Sequence, residues 1–165
     1  MPDVHAKLSA SGAKKWIACP GSVLLEASVQ DKPSAYAAEG TTAHALGEAK
    51  IRLATKEYTK AKYHKAIKDL EIDDEMEEYT DAYRDFVIEQ LNQAKQPTAD
   101  AILLLEQRLD FSKYVPEGFG TGDCVIISDK KLHIIDLKYG KGVPIQAEGN
   151  PQMRLYALGA LAVSY

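Results

Sequence analysis

The sequence predicts an α+β fold (an α/β sandwich), a sheet of at least three strands with helices packed on it, and three observations predict it. Short apolar, β-branched runs over residues 101–105, 124–128 and 132–137 read as strands. Helical patterns precede these runs and another follows, so the two kinds of element are segregated along the chain. With 165 residues, 45% hydrophobic and 27% charged, the chain is one domain able to bury a real core.

Taken in order, Ser9 or Ser11 can cap a short helix through Lys14, Lys15 and Trp16, broken at Cys19, Pro20 and Gly21. A second short helical piece follows over 23–29, and Pro33 resets the chain. Residues 34–54 read as an alanine-rich helix entered near Gly40, with Thr41 or Thr42 as its cap. Its spacing puts His44 and Glu48 on one face, with Glu39 shortly before them. Residues 55–72 are weakly patterned and rich in lysine (Lys56, Lys60, Lys62, Lys65, Lys68), which predicts a loop and a short helix.

A stronger helix over 73–95 opens on Asp73, Asp74 and Glu75, which suit the positive end of the helix dipole. Met76, Tyr79, Tyr83, Phe86, Val87 and Leu91 are its expected buried face, and Pro97 ends it. The strand over 101–105 leads to Glu106 and Leu109, and 111–119 reads as a loop. A hairpin turning at Asp129 and Lys130, an extended stretch over 143–146 and a helix over 150–163 with Pro151 in its first turn complete the chain.

A net charge of -4 has the wrong sign for nucleic-acid binding by bulk electrostatics, so any DNA contact must be local. No apolar run approaches the roughly 18 residues needed to cross a bilayer, and the first residues lack the apolar core of a signal peptide. A cytoplasmic setting is expected. Cys19 and Cys124 cannot build a disulfide framework, nor close a four-cysteine metal or cluster site by themselves.

The chemistry concentrates in GTGDCVIISDKKLHIIDLKYGK, residues 120–141. Side chains two apart on a strand share a face, so Asp136 and Lys138 project together, and a tight turn brings Asp123 opposite them. Two carboxylates in one pocket repel unless a cation sits between them, and hard oxygen ligands suit Mg²⁺ or Mn²⁺. A neighbouring lysine offsets charge that develops on a phosphate. Gln152 and Tyr156, four apart on the next helix, share a face toward the same site. Each feature alone has a plainer reading: Asp136 and Lys138 as an exposed strand pair, His44 as an ordinary helix histidine. His133 alternates away from Asp136 and reads as structural, His5 and His64 carry no signal, and Cys124 should point into the core.

Together, GTGD, IIDLKYGKG and NPQMRLYALGAL resemble the RecB-type branch of the PD-(D/E)XK nuclease superfamily, which includes lambda-type exonucleases and CRISPR-associated adaptation nucleases. With LSASGAKKWIACPGS and YAAEGTTAHALGE added, the pattern is similar to a phage and prophage family assigned to that superfamily. The likeness spans nearly the whole chain except about residues 50–100. It implies a restriction-endonuclease-like core, αβββαβ, with extra N-terminal helices and its last strand missing, an edge for another subunit or further sequence to complete. The resemblance implies that His44, Asp123 and Asp136 hold the metal, that Lys138 is the catalytic lysine, and that Gln152 and Tyr156 match the Q-x-x-x-Y motif. Glu106 and Glu39 would stand just behind the ligands. Lys141, in the loop that follows the lysine, reads either as a phosphate contact or as a solvated turn lysine.

In iron-sulfur members a Cys-Pro like Cys19-Pro20 supplies the first cluster ligand, with three more cysteines beyond the Q-x-x-x-Y helix. The sequence therefore implies no iron-sulfur cluster within this chain, unless residues 1–165 are the N-terminal part of a longer protein. The expected activity is a Mg²⁺- or Mn²⁺-dependent deoxyribonuclease, an exonuclease of phage or mobile-element DNA processing or recombination in a bacterial host. DNA is the expected partner, with a second copy or a recombination protein besides, and no membrane. The rival expectations are a non-catalytic DNA-binding module of a recombination complex, against which the intact lysine argues, and an interaction domain whose acidic pair only caps a hairpin.

Overall fold

A computed structural model describes residues 6–29, 35–97, 99–129, 131–140 and 144–163. Among these residues, six helices and three strands run in the order α1 (Ala13–Ala18), α2 (Ser22–Ala27), α3 (Ala35–Ala54), α4 (Lys60–Ile67), α5 (Asp74–Lys95), β1 (Ile102–Asp110), β2 (Phe119–Ser128), β3 (Lys131–Ile135) and α6 (Pro151–Leu161). The fold is α+β, an antiparallel meander of order β1-β2-β3 with helices on both faces. No fourth strand pairs with it among the described residues. No helix among them is long and apolar enough to cross a membrane.

Strand alternation sorts the core into two layers. Cys124 and Ile126 face Ile51 of α3 and Val87, Leu91 and Ala94 of α5. Val125 faces the other way, with Leu155, Tyr156 and Ala160 of α6 and Ala10 and Ala13 near α1. A third cluster joins Ala43 and Leu46 of α3 to Met76 of α5, with Ile67, Leu70, Leu137 and Tyr139 packed against it.

Several sequence expectations shift. Helix α3 starts before Gly40, and Thr41 and Thr42 are not caps: their hydroxyls donate to the carbonyls of Ala37 and Ala38 at 2.9 and 3.2 Å within the helix. In α5, Asp73 is the N-cap, accepting from Met76 N at 2.7 Å. Its buried stripe is Met76, Thr80, Val87, Leu91 and Ala94, while Tyr79 and Phe86 lie one step off it and are exposed. Thr80 qualifies for the core because its hydroxyl is satisfied by Met76 O at 2.7 Å. Lys50, 4% exposed, joins α3 to α5 through Glu77 O at 2.8 Å, Glu77 Oε2 at 3.1 Å and Asp81 Oδ1 at 2.8 Å.

The strands also differ from expectation. β1 runs on to Asp110 and β2 begins at Phe119, so Asp123 lies inside β2 rather than opening it. β3 ends at Ile135, which leaves Asp136 and Lys138 just past the strand. The extended stretch over 143–146 lies partly outside the described residues, since Val143 does.

Candidate metal centre

The site forms where the sheet stops behaving regularly. β1 and β2 pair continuously from Ile102↔Ile127 to Asp110↔Phe119 except opposite Glu106 and Asp123. There Glu106 adopts φ 49, a left-handed conformation uncommon for a residue with a side chain. Its effect on alternation is visible on either side. Leu105 packs with the α3 and α5 layer, but Leu109, four residues on and nominally on the same face, packs under α6. The strand thus switches faces around Glu106, and its carboxylate meets α3 instead of entering either core.

Helix α3 supplies His44. Its Nδ1 lies 3.3 Å from Asp123 Oδ1, and one ligand atom each from His44, Glu106 and Asp123 lie within 4.8 Å of one another. Asp123 Oδ2 accepts from the backbone N of Leu137 at 2.7 Å, which ties the segment after β3 to the middle of β2. Leu137 is turned toward the third core cluster, so Asp136 and Lys138 on either side of it are held in place.

Asp136 is gripped from two directions. Its Oδ2 is 2.7 Å from Lys138 Nζ, and its Oδ1 accepts from Gln152 Nε2 at 2.9 Å. Gln152 Nε2 also lies 3.3 Å from the Tyr156 hydroxyl. Gln152 and Tyr156 are 9% and 5% exposed, so they hold the carboxylate from inside the fold. Helix α6 reaches this depth because its sheet-facing side is bare at Gly159, where a Cβ would stand 2.9 Å from Leu109 Cβ. Gly120 does the same for the ring of Tyr156, 2.8 Å from where its own Cβ would be.

The electrostatics report crowded negative charge. Burial, then the charges of Asp123 and Glu48, push Glu106 up to about 7, against the pull of His44 and Arg52. Burial and Asp123 raise Asp136 despite Lys138. Burial would lower His44, but its hydrogen bond to Asp123 and the charges of Asp123, Glu106 and Asp136 outweigh it and raise it. Burial takes Tyr156 up to about 12, so its hydroxyl keeps its proton.

The structure therefore brings His44, Asp123, Asp136, Lys138, Gln152 and Tyr156 to one end of the sheet, with two revisions. Glu106 stands with His44 and Asp123 in the group that could hold a cation, rather than behind it. Asp136, expected as a direct ligand, has an oxygen on each of Lys138 and Gln152. Glu39 is not part of the cluster; it lines a separate cleft of about 510 Å³ with Thr42, Glu71 and Asp73. Lys141 lies outside the described residues. His133 sits on β3 opposite Ile126, apart from the site. Cys124 is fully buried in the α3 and α5 layer, where burial pushes its thiol up to about 12, and Cys19 is exposed.

Two neighbours escaped sequence reasoning. Arg52, held by Glu48 at 2.7 Å and bonded to Glu57, reaches Leu105 O at 3.5 Å beside the irregular Glu106. Tyr83 packs against Gly47, and burial together with the site's carboxylates holds its hydroxyl far above the usual range. The i, i+4 spacing of His44, Glu48 and Arg52 was a signal for the first; the helical spacing of Tyr83 marked it as a buried position of α5 but not as a neighbour of the site.

An α+β protein with a histidine, carboxylates and a lysine gathered at the end of a three-stranded sheet is the class that fold and site define. The chain belongs to the DUF2800 family, described as a protein of unknown function, which matches residues 5–164. No solved structure matches the chain.

Proposed function

We propose that the protein is a divalent-metal-dependent deoxyribonuclease of the PD-(D/E)XK type, an exonuclease that hydrolyses phosphodiester bonds during phage or mobile-element DNA processing in the bacterial cytoplasm. The observation that carries the reading is the convergence on Asp136: Lys138 at 2.7 Å on one oxygen and Gln152 at 2.9 Å on the other, beside Asp123 and His44. A lysine held at a buried carboxylate but itself 44% exposed on its side chain is placed to meet a phosphate from solvent.

The donor set fits a divalent cation. One imidazole nitrogen and several carboxylate oxygens lie close together with too few positive charges to balance them. The mix of nitrogen and oxygen donors favours Mn²⁺ over Mg²⁺, since Mg²⁺ prefers oxygen ligands alone. His44, Asp123 and Glu106 would hold the ion, with Asp136 beside them. When bound, it would polarise the scissile phosphate and acidify a water.

The chain's own groups do the rest. Lys138 offsets negative charge building on the phosphate oxygens and holds the attacking water in line. Gln152 fixes Asp136 so that its second oxygen stays on Lys138, and Tyr156 steadies Gln152. Leu137 N keeps Asp123 turned toward His44.

The test is digestion of end-labelled linear and circular DNA with Mg²⁺, Mn²⁺ or EDTA, comparing the protein with Asp136→Ala and Lys138→Ala. Metal-dependent digestion lost in both variants upholds the proposal. DNA binding without cleavage at every metal would replace it with a non-catalytic binding module.

A further inference from the structure

The lysine-rich segment between α3 and α5 plays no part in the proposed chemistry. Lys56, Lys60, Lys62, Lys65 and Lys68 are all exposed, and among the described residues none has a carboxylate partner within salt-bridge distance. Elsewhere the chain neutralises many of its cations: Lys15, Lys50, Arg52, Arg84 and Lys138 all sit on carboxylates. Glu57, the one carboxylate within residues 56–68, is taken by Arg52. In a chain of net charge -4, so concentrated a positive surface without carboxylate partners among the described residues is self-repulsive.

Its geometry is that of a one-sided helix. Thr59 caps α4 by accepting from Lys62 N at 3.2 Å. Tyr63 and Ile67 turn inward, and the outer arc presents Lys60, Lys62, His64, Lys65 and, just past the end, Lys68. The helix that carries this arc is tied to the neighbourhood of the candidate site by two routes, one through its inner side and one through Tyr58. Ile67 and Leu70 pack into the same cluster as Leu137, the residue between Asp136 and Lys138. At the other end, Lys62 stands 4.1 Å from the ring of Tyr58, and Arg52 stands 5.8 Å from the same ring while also holding Glu48 and reaching Leu105 O.

We propose that α4 and its flanks are the surface that carries the phosphate backbone of the DNA whose end lies at Lys138. This rests on the nuclease reading and adds where the polymer runs. It also resolves the conflict between an acidic protein and a polyanionic substrate, because the attraction is local. The apolar side of α4 is spent on the core, leaving no exposed apolar arc to enter a bilayer, so a phosphate polymer in solution fits better than an anionic membrane.

The experiment compares the full chain with a K60Q/K62Q/K65Q/K68Q variant, glutamine being as good a helix former as lysine. A control carries the same charge change at the exposed Lys7, Lys14, Lys95 and Lys113. Anisotropy of short labelled single- and double-stranded DNA is read in EDTA across a salt series. The expected result is a loss of about tenfold or more in affinity for the α4 variant. Its log K against log salt slope should flatten by about 3, since each lysine neutralising a phosphate contributes roughly 0.7–0.9. The control should keep both.

Equal losses in both variants, or in neither, overturn the inference. So does an α4 variant that loses only phosphatidylserine-vesicle binding, or one whose sedimentation changes while DNA affinity does not. If the parent protein cleaves DNA and the α4 variant keeps its KM and salt slope, the inference falls and the nuclease stands. If the α4 variant loses DNA binding and the parent binds DNA but fails to cleave it with Mg²⁺ or Mn²⁺, the DNA surface stands and the nuclease reading falls.

Discussion

Glu106 and Asp123 face each other across β1 and β2 at the one break in an otherwise continuous ladder, with Glu106 at φ 49. A side chain in that region costs about 1–2 kcal/mol, tolerated when the surroundings fix it. Glu106→Gly is therefore expected to leave metal-free stability within about 1 kcal/mol, relief of strain offsetting glycine's entropy. Mn²⁺ affinity should fall at least about tenfold, as for loss of a ligand. Glu106→Gln should weaken Mn²⁺ alike. Calorimetric titration and thermal melts of both variants check this.

The raised pKa values make a signed prediction for the metal-free protein. Glu106, moved from 4.5 to about 7, and the raised Asp136 and His44 bind more protons folded than unfolded. Their contribution to stability is fully present below the unfolded pKa values and is lost as pH rises through the folded ones. For Glu106 that window runs from 4.5 to about 7. Melts in EDTA should show this loss, reduced in Glu106→Gln. Metal binding expels those protons, so Mn²⁺ affinity should rise with pH over the same window.

Gly159 lets α6 approach β1 closely enough to deliver Gln152. Gly159→Ala sets a Cβ 2.9 Å from Leu109 Cβ and 3.2 Å from its carbonyl carbon, so the helix must move. The expected cost is about 1–3 kcal/mol, measured by urea unfolding. Cleavage should fall with it, because Asp136 loses its partner on α6.

Gln152 and Tyr156 act as one unit on Asp136. Gln152→Ala leaves a buried carboxylate oxygen unpaired, at about 1–3 kcal/mol. Tyr156→Phe should cost less, and should cost almost nothing further in the Gln152→Ala background, since its hydroxyl acts through Gln152. A double-mutant cycle on unfolding and on cleavage rate measures the coupling.

Much of this was legible in the sequence because it is local. The hairpin register puts Asp123 level with the residue after Ile135, and Asn150 with Pro151 fixes the start of α6. The break at Glu106 was not legible: alternation arguments assume a regular strand, and Leu103, Leu105 and Leu109 look like one face until the left-handed residue separates them. Nor was the stripe of α5, where Thr80 replaces the larger Tyr79 because its hydroxyl bonds within the helix. The separation of Glu39 from the site follows from regular helix geometry, since five residues turn it away from His44 toward Glu71 and Asp73.

The most direct measurement is Mn²⁺-dependent release of nucleotides from end-labelled linear DNA by the protein, Asp136→Asn and Lys138→Ala. Asp136→Asn is close to isosteric, whereas Lys138→Ala leaves a buried carboxylate oxygen unpaired at about 1–3 kcal/mol, so digestion is compared well below the melting temperature of each variant. Digestion by the parent protein is expected, abolished by EDTA and lower by at least about 10²-fold in each variant. Digestion that survives both substitutions, or a folded, metal-loaded parent that leaves DNA intact, would contradict the nuclease reading.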